Sequence, residues 1–135
     1  MSCWLLLADP GSYDFDDLQR DGRAVWDGVK GGLAQKYLRG FKKGDRALIY
    51  HTAPDKAVVG TARVVTAPYA DPEDATGKRM VVDVEPMTRL ENPVPLSALK
   101  NSPKLGEMAF LKIQRIAVSP VSRAEFDAIV RLGRP

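Results

Sequence analysis

Three segments constrain this chain more than any other feature. "RALIYHT" (46 to 52), "AVVGTARVVTA" (57 to 67) and "KRMVVDVEPM" (78 to 87) are rich in β-branched residues, whose side chains suit a pleated sheet better than the side of a helix. They are expected to form antiparallel strands, with residues 68–77 as a polar connection holding at most one helical turn. "CWLLLA" (3 to 8), closed by Asp9-Pro10-Gly11, reads as a buried strand, and "LKIQRIAVSPV" (111 to 121) as another.

Short helices fall between and after these strands. "SYDFDDLQRDG" places Asp14, Asp16 and Asp17 at a helix start, where the dipole favours them, and ends at Gly22. "GLAQKYLRGF" puts Leu33, Ala34, Tyr37, Leu38 and Phe41 on one face, with Gly40 as a stop. "PLSALKNSP" is a short helix with Ser97 as its candidate cap. Ser122 and Glu125 form a capping box for a last helix that carries Phe126, Ile129 and Val130 on one face and Gly133 after its end. At 135 residues one domain over residues 1–135 is expected, a mixed α+β fold whose sheet curls towards a small barrel.

Several function classes are weakly supported. The start "MSCWLLLADP" has a short apolar run and no basic region before it, unlike a signal peptide or a membrane span, so a cytoplasmic protein without membrane association is expected. Cys3 and His51 are single residues of their kinds, which leaves no disulfide and no zinc spacing. Cys3 reads as a small buried residue in an edge strand. His51 lacks a nucleophile elbow or comparable partner in the sequence, and a strand-end histidine satisfied by hydrogen bonds is the simpler reading. Nothing in the sequence asks for a cofactor.

Charge is unevenly placed. The first 19 residues carry Asp9, Asp14, Asp16 and Asp17 and no lysine or arginine. Residues 20–46 carry Arg20, Arg23, Lys30, Lys36, Arg39, Lys42, Lys43 and Arg46 against Asp21, Asp27 and Asp45. Such a segment attracts polyanions by counterion release, although a solvated helix face also accounts for a charge run of this size. Inside it lies "WDGVKGG" (26 to 32). Trp26 there is compatible with a core position among turn glycines, or with a stacking surface beside which Gly28, Gly31 and Gly32 let the backbone approach a flat ligand.

The pieces in order, "CWLLLADPGSYDFDDLQRDG", "WDGVKGGLAQKYLRGFKKGDRALIYH", "VVGTARVV", "PYADP", "MVVDVEP" and "LGEMAFLKIQRIAVSPVSRAEFDAIVRLG", resemble the EVE domain family over nearly the whole chain. The most specific part is W-D-G-V, then Arg39, then K-x-G-D, then a strand ending in Y-H. The resemblance implies a PUA-like curled mixed β-barrel flanked by short helices, related to ASCH and YTH domains. It implies a pocket that receives a base flipped from nucleic acid, such as cytosine modified at carbon 5 in DNA, and no catalytic step. Carried over, Trp26, Asp27, Gly28, Val29 and Lys30 with Tyr50 and His51 are the expected base-binding residues. Lys36, Arg39, Lys42 and Lys43 are the expected phosphate contacts. Trp4 matches an aromatic for which a core role is at least as good a reading.

Departures from the family pattern bear on the ligand. Lys30 stands where arginine is usual, so the charge is kept and the bidentate fork lost. Gly31, Gly32, Leu33, Ala34, Gln35 and Lys36 stand at N-Y-Q-A-R-N, keeping only the alanine, Leu7 and Ala8 replace a lysine and a serine, and the "TAPDKA" loop is short. These changes point to a pocket that is larger, more apolar or less selective. Two other readings stay open: an RNA-binding accessory of the same fold, and a small nucleotide or nucleoside hydrolase using His51 and Asp27.

Overall fold

The computed structural model describes residues 2–113 and 115–134. In chain order the elements are β1 (Cys3–Ala8), α1 (Phe15–Asp21), β2 (Ala24–Trp26), α2 (Gly32–Leu38), β3 (Arg46–His51) and β4 (Ala57–Val64). Then follow β5 (Tyr69–Ala70), β6 (Met80–Pro95), α3 (Leu96–Asn101), α4 (Ala109–Lys112), β7 (Val118–Val121) and α5 (Arg123–Leu132). The sheet runs β2-β6-β4-β3-β1-β7, with β5 paired to β6. The β-branched segments pair antiparallel as β3, β4 and β6, while β1 lies parallel to β3 and antiparallel to β7.

Alternation along β1 sorts two cores. Trp4, Leu6 and Ala8 face an inner cluster with Phe15, Trp26, Val29, Leu38, Phe41, Ile49, Ala62, Val64, Val82 and Val84. Cys3 and Leu5 face an outer cluster with Leu48, Tyr50, Val58, Leu90, Leu99, Leu105, Met108 and Ile129. Because the inner cluster gathers residues from both ends of the strand order, the sheet is curled into a half-barrel around it. The outer cluster lies under α3, α4 and α5.

Local chemistry explains most elements. Asp14 accepts from the Asp17 N–H, and the Asp17 carboxylate accepts from the Asp14 N–H, closing a capping box at α1. The Ser122–Glu125 box starts α5 in the same way. Among the described residues no helix is long and apolar enough to cross a membrane.

Several expectations are corrected. Cys3 is buried, but its strand lies inside the sheet between β3 and β7, not at an edge. Leu33 is exposed, while Gln35 is buried, because the Gln35 amide donates to the Val29 and Met80 carbonyls and accepts from the Met80 N–H. A three-way polar clamp outweighs the apolar periodicity of α2. Ser97 lies within α3 and gives no cap bond; Pro95 precedes the helix instead. In 111–121 the strand is confined to β7 and α4 occupies the start, with residue 114 outside the described residues. Within 68–77, Tyr69–Ala70 pairs with β6 as a short strand.

Candidate functional site

β1 and β3 run side by side in parallel, and the crossover between them carries α1, β2 and α2. A crevice at the carboxyl ends of adjacent parallel strands is where the chain leaves the sheet and a ligand can enter. Here that crevice is an open cavity of about 820 Å³ lined by Leu7, Asp9, Ser12, Tyr13, Ala24, Val25, Trp26, Asp27, Gly28, Lys30 and Thr52. Its size falls in the range of about 300–1,000 Å³ typical of ligand pockets.

β2 forms one wall. It pairs with β6 on one side only, at Ala24–Val84, Val25–Asp83 and Trp26–Val82. All three residues line the cavity, both odd and even positions, so the unpaired edge of the strand borders it. The backbone N–H and C=O groups on that edge have no ladder partner among the described residues. Trp26 is only 9% exposed. It belongs to the inner core and also lines the cavity.

The turn after β2 is held from behind. Val29 is buried in the inner core, and its carbonyl accepts from the Gln35 amide at 2.9 Å. Gly28 and Gly31 have φ of 74° and 94°, a conformation that favours glycine. A Cβ at Gly28, Gly31 or Gly32 would meet no atom of the described residues within 4 Å, so the first two are favoured by backbone conformation and none is needed for packing against the protein itself. The turn leaves the Asp27 carboxylate exposed and without a hydrogen-bond partner among the described residues. Lys30 lines the same cavity.

The opposite wall was missed by sequence reasoning. Asp9 accepts from the Gly11 N–H and the Ser12 hydroxyl, folding the β1–α1 turn over the opening. The Tyr13 hydroxyl donates to Asp21 at 2.8 Å. Burial, reinforced by that bond, pushes the Tyr13 phenol up to about 12, so it stays a neutral aromatic face. The parallel β1–β3 pair was the available signal, since its carboxyl ends had to lie under whatever follows Ala8.

Tyr50 and His51, expected at the pocket, do not line it. Alternation along β3 turns Tyr50 to the outer core, where its ring sits 4.7 Å from that of Phe110 and burial raises its pKa. His51 points inward beneath α1. Its Nε2 accepts from the Phe15 N–H at 3.0 Å and its Nδ1 pairs with the Asp55 carboxylate at 2.9 Å. Because the backbone N–H can only donate, Nε2 is unprotonated in this arrangement and Nδ1 carries the proton. Both nitrogens thus serve the fold.

The expected phosphate contacts are spread along one side. Lys36 is exposed on α2, and Arg39 donates to the Lys78 carbonyl. Lys42 and Lys43 lie beside Asp45, whose carboxylate accepts from the Ser2, Trp4 Nε1 and Lys42 N–H groups. That is the far end of β1 from the cavity, roughly 15–20 Å away at about 3.3 Å per strand residue. Trp4 is a core residue, stacked on Phe41 with ring centres 4.5 Å apart.

Comparison with known proteins follows this architecture. The family model described as EVE domain matches residues 2–132. A Rhodopseudomonas palustris protein solved by NMR superposes with a TM-score of 0.93 at 33% identity, covering 98% of this chain and 93% of that one. Mouse thymocyte nuclear protein 1 is 27% identical over 163 aligned residues, covering 96% of this chain and 72% of that protein. The crystal structure of human THYN1 protein in complex with 5-methylcytosine-containing DNA matches with a TM-score of 0.89 at 24% identity, covering 100% of this chain and 99% of that one. That last likeness is one of fold. With a match along almost its whole length and the curled PUA-like half-barrel in place, this chain belongs to the EVE domain family.

Proposed function

We propose that this protein is a nucleic-acid-binding module that holds a flipped base in the cavity beside Trp26 and discriminates a modified form, such as 5-methylcytosine in DNA, without catalysing a reaction. The observation that carries the reading is the unpaired edge of β2 bordering an open cavity together with a free carboxylate at Asp27. A carboxylate accepts well from the exocyclic amino group of cytosine. Extrusion of a base takes a few kcal/mol, about what one stacking contact returns, so edge hydrogen bonds and phosphate contacts must supply the net affinity. Support also comes from the shared fold with the human protein bound to 5-methylcytosine-containing DNA. Since both nitrogens of His51 are engaged within the fold, it offers no free base to the cavity, and binding is favoured over the hydrolase reading.

The test is fluorescence anisotropy with matched DNA and RNA oligonucleotides, unmodified or carrying 5-methylcytosine or N6-methyladenine, at one stated salt concentration. A preference of roughly tenfold for one modified base is expected, the value of one methyl group in an apolar site. Asp27→Asn should weaken binding by about tenfold, because a hydrogen bond to a charged acceptor becomes a neutral one. Equal binding to every oligonucleotide, unchanged in Asp27→Asn, would overturn the assignment.

A further inference from the structure

The segment joining β3 to β4 separates the cavity from a second, smaller groove. On one side Thr52 lines the cavity. On the other, Pro54, Asp55 and Lys56 face Pro95, Leu96, Ser97 and Lys100 across about 380 Å³. Neither Lys56 nor Lys100 forms an ion pair among the described residues.

This turn is firmly tied down. The Thr52 N–H donates to the Ala8 carbonyl at 2.9 Å, and the Asp55 and Lys56 N–H groups both donate to the Thr52 carbonyl. The Lys56 carbonyl then accepts from the Leu96 N–H at 2.8 Å, joining the turn to the start of α3. Lys56 itself has φ of 47°, a left-handed conformation uncommon for a residue with a side chain. Backbone strain of this kind persists where surrounding bonds over-determine it, and it concentrates at ligand clamps. The one carboxylate lining the groove, Asp55, is already held by His51 Nδ1. A neutral His51 leaves the charge of Asp55 in place and its side chain 46% exposed, so the groove sets two ammonium groups, one of them on a fixed frame, against one carboxylate, a net positive site with the Ser97 hydroxyl beside it.

We infer that the nucleic-acid strand whose base enters the Trp26 cavity continues over Thr52, so that Lys56 and Lys100 hold its backbone phosphates. This rests on the function proposed above. Continuity decides between the basic groups: Lys56 is one turn from a cavity-lining residue, whereas Lys42 and Lys43 lie at the opposite end of β1. The groove thus adds a phosphate subsite that the basic segment of the sequence did not indicate.

The experiment is a salt series of anisotropy titrations with one single-stranded DNA oligonucleotide carrying 5-methylcytosine and its unmodified twin. The proteins are the wild type, a Lys56→Asn/Lys100→Gln double variant and a Lys42→Gln/Lys43→Gln double variant. Asn tolerates the left-handed conformation, and thermal midpoints check that each variant is folded. Each lost phosphate contact should reduce the slope of log K against log salt by about 0.7, so the first variant should lose about 1.4 and bind roughly tenfold more weakly near 150 mM salt. Its preference between the two oligonucleotides should be unchanged, and the second variant should lose less slope. A wild-type slope in Lys56→Asn/Lys100→Gln, with binding intact, would overturn this subsite and leave the proposed function standing. Absence of wild-type binding to either oligonucleotide would overturn both.

Discussion

An Asp45→Ala variant is expected to melt about 10–20 °C below the wild type. Asp45 is 2% exposed and accepts three hydrogen bonds, from Ser2, from the Trp4 indole and from Lys42. Removing it strands the buried indole N–H and takes the acceptor from the half-buried Ser2 and Lys42 N–H groups. Losing bonds to a charged acceptor and leaving those donors unpaired costs about 3–5 kcal/mol, a large share of the roughly 5–15 kcal/mol that holds a domain together. Asp45→Asn keeps the shape and one acceptor oxygen, and should lose about half as much. Thermal denaturation followed by circular dichroism separates the cases: a drop of only a few degrees in Asp45→Ala would mean that water or a rearranged turn satisfies the indole.

Gly60→Ala should be nearly as damaging for a different reason. A Cβ built on Gly60 lies 2.5–2.8 Å from three ring atoms of Phe15, and Phe15 is fully buried. The ring cannot retreat without moving α1. Overpacking of this kind costs about 1–3 kcal/mol, and the rigid ring places this case at the upper end. Since Phe15 is also held through its N–H by His51, strain at Gly60 reaches the wall formed by Ser12 and Tyr13, and binding should weaken with stability. Phe15→Leu in the Gly60→Ala background should recover part of the loss. Denaturant melts of the two single variants and the double give the coupling, and strict additivity would show that the methyl and the ring do not meet.

The strands were legible where composition and periodicity agreed. β3, β4 and β6 carry branched side chains on a half-buried surface, and the two capping boxes state their helix starts in the residues themselves. Short elements were not legible. β2 has three residues, and nothing within Ala24–Trp26 distinguishes a strand from a turn until β6 lies beside it. Leu33 and Gln35 exchanged their expected places because Gln35 finds partners in two other segments, which a pattern within one helix cannot register. At the site, W-D-G-V marked one wall and left the other unmarked. Tyr13, Ser12 and Thr52 arrive there only through the parallel pairing of β1 with β3. The spacing in Y-H says that Tyr50 and His51 face opposite sides of the sheet, but not that the cavity takes neither.

The crossover from Ala8 to Arg46 contains every residue that lines the cavity except Leu7 and Thr52. Those two sit at the carboxyl ends of the parallel pair, Leu7 in β1 and Thr52 just after β3, and no residue of β3, β4, β6, β7 or α5 lines the opening although β3 and β6 hold its walls in place. The same stretch supplies Phe15, Leu18, Val29, Leu38, Phe41 and Asp45 to the interior, so the cavity wall and much of the core are written in one segment of chain. A change in the cavity wall is therefore also a change in the core, and variants that reshape the opening are expected to shift thermal stability with it.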